Sequence, residues 1–153
     1  MVLVSVQREP FDVSTEISRL QAGRPEIGAI ASFVGVVRDF NEGSHLSAME
    51  LEHYPGMTER AVEEVVLKAI ERFGLHSARV IHRIGTLNPS DQIVLVLCAS
   101  SHRSESFRGC EYIMDYLKTS APFWKKESTA TGNHWVQERD SDLKARDRWE
   151  AEA

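Results

Sequence analysis

A chain of 153 residues is long enough to bury one full hydrophobic core and too short for several. Its net charge of −5 argues against non-specific nucleic-acid binding, so a basic cluster within it suits a small anion better than a polyanion. The two cysteines, Cys98 and Cys110, lack C-x-x-C spacing and offer neither a disulfide framework nor a zinc ribbon, and no apolar run is long enough to span a membrane.

Val2, Val4 and Val6 alternate with other residues, which predicts a first strand rather than a secretion leader and points to the reducing cytoplasm. Ser14 can cap a short helix through Leu20 that ends near Gly23. Residues 27–37 read as a strand, with Gly28 and Gly35 as places for bulges, and residues 38–43 form a polar loop. Residues 46–53 alternate like a half-buried strand and are expected to return as the second arm of a hairpin with 27–37. After the Pro55-Gly56 turn, Thr58 can cap a long helix whose stripe is Val62, Val65, Val66, Ala69, Ile70 and Phe73, stopped by Gly74. Residues 79–84 and 92–99 flank an Asn88-Pro89 turn and read as a second hairpin.

Residues 100–127 hold the chain's densest chemistry. Phe107, Cys110, Met114 and Leu117 recur at helical spacing, Ser101 or Ser104 can cap the helix, and Ala121-Pro122 closes it. His102 and Arg103 then sit where free backbone N–H groups favour an anion, and Lys118 sits on the last turn. In the strand after Pro122, alternation sends Lys125 and Lys126 to opposite faces. Spacing alone also allows a plainer reading, a dipole-complementing lysine and a solvated lysine pair. The neighbouring Phe123 and Trp124 favour charge held against apolar surface. A lysine so held near other cations can become a neutral nucleophile or base. The expected arrangement is Lys118 on a pocket floor close to Lys125 and Arg103.

A short strand is expected over 134–137, followed by a charged tail that could be a frayed helix or disordered. The expected organisation is one catalytic domain over 1–140, with a small subdomain, and a tail over 141–153. The fold class is α+β, a mainly antiparallel sheet with two long packed helices.

Other chemistries find little footing. Ser100, Ser101 and Ser104 lie near His102, but no G-x-S-x-G elbow is present, and serines beside a strand-to-helix turn more often cap. The six histidines include no helical i, i+3 or i, i+4 pair, so no metal site is expected. No Walker loop or dinucleotide fingerprint is present, and no cofactor is expected. A phosphate could still be held by Arg38, Arg103, Arg139, Lys118 and Lys125.

Several segments together carry a resemblance: L-E-H-Y-P-G-M-T at 51–58, V-I-H-R-I-G at 80–85, S-S-H-R at 100–103 and I-M-D-Y-L-K-T-S-A-P-F-W-K-K-E at 113–127. With F-V-G-V-V-R-D at 33–39 and H-W-V-Q-E-R at 134–139, the chain resembles the large, catalytic subunit of molybdopterin synthase from about Val2 to Trp149. The resemblance implies an α/β hammerhead fold and a sulfurtransferase. It would convert cyclic pyranopterin monophosphate to molybdopterin in molybdenum cofactor biosynthesis. The sulfur would arrive as a thiocarboxylate on the C-terminal Gly-Gly of a small ubiquitin-like subunit, within a heterotetramer built on a homodimer of large subunits.

Residue by residue, the resemblance makes Lys118 and Lys125 catalytic. It assigns Arg38, His102, Arg103, Arg139, Lys126, Glu127, Val36 and Val37 to the substrate, part of the set coming from the neighbouring large subunit. Phe33 and Met114 match pocket-lining positions. Val36 departs from relatives that carry a lysine or another polar residue there, so any contact from it must be made by backbone. Chemically, sulfur that arrives preloaded on a partner needs no enzyme cysteine, only anion binding, positioning and proton transfer. Two rivals stay open on the residues alone: a non-catalytic module for a phosphorylated ligand or the carrier, and a persulfide sulfurtransferase using Cys98 or Cys110.

Overall fold

The computed structural model of the chain describes residues 3–41, 44–129, 132–136 and 140–152. In chain order the elements are β1 (Val4–Gln7), α1 (Val13–Gln21), β2 (Ala29–Val36), β3 (Phe40–Asn41), β4 (Ser44–His53), α2 (Met57–Phe73), β5 (Ser77–Arg83), β6 (Gly85–Leu87), β7 (Gln92–Ser100), α3 (Arg103–Leu117), β8 (Phe123–Thr129), β9 (Gly132–Val136) and α4 (Asp140–Glu152). The class is α+β, as the pattern predicts. The strands divide into two sheets, one ordered β1-β5-β7-β2, the other β3-β4-β8-β9 with β6 against β4.

The first sheet is built around β7, which is buried from Ile93 to Ser100. An unbroken apolar strand needs cover on both faces, and it has it. Val94, Val96 and Cys98 face the cluster shared with α2 and α3, which includes Val62, Val66, Ala69, Cys110 and Ile113. Leu95, Leu97 and Ala99 face the cluster with Leu20, packed against Ile17, Val13 and Phe11 near α1. The predicted hairpin of 79–84 with 92–99 is present as the antiparallel β5–β7 pair.

The hairpin expected between 27–37 and 46–53 does not form. Strand β2 pairs antiparallel with β7, Ala29 opposite Ser100 and Val36 opposite Gln92, while β4 pairs with β6 and β8 in the other sheet. The apolar β2 thereby adjoins the fully buried strand. Strand β1 runs parallel to β5, so this sheet is mixed rather than wholly antiparallel.

The caps also differ in detail. Helix α1 is capped by the Asp12 carboxylate, which accepts the Thr15 N–H at 2.8 Å, rather than by Ser14. Helix α2 starts after Gly56, whose positive φ of 82° suits glycine, and Thr58 lies fully buried inside its first turn. Helix α3 begins after His102, which makes no side-chain cap bond. Phe107, expected on the apolar stripe, is 65% exposed; Ser106, Gly109, Cys110, Ile113 and Leu117 make the buried face.

The charged C-terminal segment is helical over Asp140–Glu152 and docks on α3. Trp149, only 2% exposed, enters a socket made by Phe73 and Tyr112, with ring centroids 5.6 and 5.5 Å away in edge-on contact. Its indole N–H donates to Asp115 Oδ2 at 2.6 Å, and Arg148 bonds Glu111 at 2.6 Å.

Candidate active site

The route from α3 to β8 sets the site. The Lys118 N–H donates to Met114 O at 3.0 Å, so the lysine closes the last turn of α3. The chain then turns through Ala121-Pro122, and that turn is pinned from α2: the Thr58 hydroxyl donates to Pro122 O at 3.1 Å and accepts the Tyr54 N–H at 3.0 Å. Strand β8 leaves the turn against β4, with Phe123 opposite His53 and Lys125 opposite Leu51. Phe123 and Lys125, two residues apart, share one face of β8.

On the other side of β4, Leu51 is opposite Gly85, where the chain passes from β5 into β6. Gly85 has φ 89°, and a Cβ there would lie 2.5 Å from the Arg8 guanidinium. This crossing brings His82, at the end of β5, beside β8. The His82 ring stacks on Phe123 with centroids 4.0 Å apart and planes 21° apart. Its Nδ1 lies 2.8 Å from Arg83 O, which places the ring proton on Nδ1 when the imidazole is neutral. Burial, and after it the charges of Lys125 and Lys118, lower its pKa to about 4. Two lysines on separate elements thus converge on one uncharged histidine. His53 is only 13% exposed and pairs with Glu59 at 3.2 Å.

The predicted residues fall into two groups. Strand β7 ends at Ser100, and α3 packs back over β7 and β2. The C-terminal end of α3 therefore lies where β2 finishes. Val36 ends β2, with Val37 and Arg38 next in the chain, and Lys118 follows the end of α3. The Val37 N–H donates to Asp91 O at 2.9 Å and Val37 O accepts the Ser90 N–H at 2.7 Å, which ties down the chain just before the exposed Arg38. Val37 is buried, and Val36 is 49% exposed. Phe33, 41% exposed, lies on β2, the edge strand of its sheet, and half-buried Met114 lies one turn before Lys118.

His102 and Arg103 sit at the other end of α3. Fourteen steps at 1.5 Å each separate Arg103 from Leu117 by about 21 Å. The expectation that Lys118 lies close to Arg103 fails within one chain because the whole length of α3 lies between them. Nor is Lys118 held on a pocket floor here, since it is exposed. Arg139 and the side chains of Lys126 and Glu127 lie outside the described residues. His82 and His53 were not among the residues the sequence singled out, and Thr58 was expected only as a helix cap. The first two stand inside the quoted segments V-I-H-R-I-G and L-E-H-Y-P-G-M-T, and membership of those segments was the available signal.

Both cysteines are buried and free, and Cys110 Sγ faces Ala31 O at 3.4 Å. The Cys98 thiol is pushed well up by its hydrogen bond with Cys110 and by burial, so it holds its proton and is a poor nucleophile. Among the described residues, no group of three or more His, Cys, Asp or Glu could hold a metal ion, and no helix is long and apolar enough to cross a membrane.

Comparison with known proteins places this geometry. Residues 6–120 match the family described as MoaE protein. The chain is 58% identical, over 97% of its length and 85% of the relative's, to the molybdopterin synthase catalytic subunit of Ralstonia nicotianae. The solved molybdopterin biosynthesis MoaE protein from Burkholderia ambifaria superposes with a TM-score of 0.84 at 48% identity, covering 98% of this chain and 99% of that one. A complex of subunits 1 and 2 of molybdopterin-converting factor from Helicobacter pylori shares the fold alone, with a TM-score of 0.72 at 20% identity over 89% of this chain and 91% of that one. The chain belongs to the MoaE family of molybdopterin synthase catalytic subunits.

Proposed function

We propose that this chain is the catalytic subunit of a cytoplasmic molybdopterin synthase. It takes sulfur from the C-terminal Gly-Gly thiocarboxylate of a ubiquitin-like small subunit and places it on cyclic pyranopterin monophosphate. Each transfer forms a carbon–sulfur bond on the pterin in place of a carbon–oxygen bond, whose oxygen leaves as water or as the freed arm of the cyclic phosphate; water then cleaves the acyl–sulfur bond and returns the carrier as a carboxylate. Two such transfers build the dithiolene. The observation that carries this reading is the convergence of Lys118 and Lys125, from α3 and β8, on the neutral His82. In this reading the two lysines move protons and stabilise developing negative charge.

Arg38, His102, Arg103, Arg139, Lys126 and Glu127 bind the substrate, with Val36 and Val37 contributing backbone and Phe33 and Met114 lining the pocket. The separation of Arg103 from Lys118 along α3 supports a site shared between two large subunits, the lysine end of one meeting the His102-Arg103 end of the other. A two-fold dimer inside a heterotetramer supplies this arrangement twice. Residues 1–140 form the catalytic domain, and 141–153 are an appended segment.

The buried, protonated Cys98 disfavours the persulfide alternative. The test is to incubate the purified protein with thiocarboxylated carrier and cyclic pyranopterin monophosphate and to weigh the pterin. Gain of two sulfurs supports the proposal. An unchanged pterin with both partners bound would leave a binding module.

A further inference from the structure

We propose that His82 is a positioning residue for sulfur transfer: its ring is the seat for Phe123, and through that stack it sets Lys125 opposite the last turn of α3. The inference rests on reading Lys118 and Lys125 as the reactive pair. Three observations support it independently of that reading.

The first is the stack itself, at 4.0 Å between nearly parallel rings. Phe123 is the first residue of β8, so whatever fixes it fixes where the strand begins. The second is the anchor of His82: the Nδ1 contact to Arg83 O at 2.8 Å orients the ring plane from its own strand. The third is the register. Gly85, Leu51 and Lys125 stand in one row across β6, β4 and β8, and His53 and Phe123 stand two rows further along β4 and β8. Phe123 and Lys125 share a face of β8, so the seat of Phe123 fixes the start of the strand that carries Lys125.

Charge fits the same role. The groups facing His82 are Lys118 on α3, Lys125 on β8 and His53 on β4, the last paired with Glu59 of α2. A ring that stays neutral adds no further cation to this set. An imidazole that gains a proton only near pH 4 is also a poor general base at neutral pH, which leaves placement rather than proton transfer as its contribution.

The test is a double-mutant cycle in single-turnover and steady-state assays, with thiocarboxylated carrier and cyclic pyranopterin monophosphate. The variants are His82→Ala, His82→Phe, Lys125→Ala and His82→Ala/Lys125→Ala, each checked for folding by thermal unfolding. His82→Ala is expected to lower kcat about tenfold or more, the scale of a misplaced reacting group, with KM for the pterin changed by less than about threefold. His82→Phe restores an aromatic seat and recovers most of that loss. In the Lys125→Ala background, His82→Ala adds less than about twofold, because the group it positions is gone.

If His82→Ala fails to fold, His82→Asn, which keeps a donor to Arg83 O without a ring face, takes its place. Equal losses in both backgrounds, wild-type kcat in His82→Ala, or no recovery in His82→Phe would each overturn the proposal while leaving the lysines' role intact. Wild-type turnover in Lys125→Ala overturns the reading of the lysines and the proposal with it.

Discussion

The buried position of His82 makes the fold sensitive to acid in a window that can be calculated. Unfolded, the imidazole takes up its proton near pH 6.5; folded, only near pH 4. Between these values the unfolded state binds more protons than the folded one, so stability falls as pH falls. Above pH 6.5 both states are neutral at this group and it contributes no pH dependence. The separation of the two pKa values corresponds to about 3 kcal/mol, a sizeable part of a domain's typical stability. The perturbation is His82→Phe, which keeps a ring against Phe123 and removes the titration. Urea unfolding of both proteins from pH 4 to pH 8 isolates the effect, because the two proteins differ only at this ring. The stability of wild type relative to His82→Phe should be flat above pH 7 and decline by about 3 kcal/mol towards pH 4. Parallel curves across the range would refute the assignment of His82 as buried and neutral.

Replacing both cysteines, Cys98→Ala and Cys110→Ala, should leave most of the sulfur transfer in the folded protein; a persulfide trapped on either thiol of the wild type would contradict this. Trp149→Ala empties the aromatic socket and removes the Asp115 bond, which should cost about 3–5 kcal/mol and lower Tm by about 10 °C in a thermal melt. Lys118→Ala and Arg103→Ala homodimers should each be inactive, yet an equal mixture allowed to exchange subunits should regain about a quarter of wild-type activity. That fraction follows because half the dimers are mixed and each holds one intact site; no recovery would contradict a site shared between two large subunits.

Much of this was legible in the chain. The apolar run at 92–99 reads as a strand and the stripe from Val62 to Phe73 as a helix packed on the sheet, and both form. The partner of β2 was not legible, because two neighbouring strands offered compatible apolar patterns and pairing is decided by long-range burial. The terminal helix was hidden for a different reason. Its docking rests on one large residue, Trp149, entering a socket assembled from α2 and α3, within a sequence otherwise dominated by charge. The lysines stood out by residue type and spacing. Their convergence on His82 did not, since it depends on the Gly85 crossing and on the Thr58–Pro122 bond that links residues 64 apart. Helix α3 separates Arg103 from Lys118, and its length was in the sequence reading; what that length meant for the site became clear only with the topology around it.

The central claim is that Lys118 acts on the sulfur-transfer reaction rather than serving as a fixed positive charge. Single-turnover transfer of isotopically labelled sulfur from the carrier to cyclic pyranopterin monophosphate, with wild type, Lys118→Ala and Lys118→Arg, tests it most directly. Calorimetry run alongside should show that carrier and pterin still bind. Lys118→Ala should slow transfer by about a hundredfold or more, the scale of a lost acid–base group. Lys118→Arg should be no better, because a guanidinium keeps its charge and neither accepts a proton nor attacks an acyl carbon. Transfer by Lys118→Arg at the wild-type rate would contradict the account.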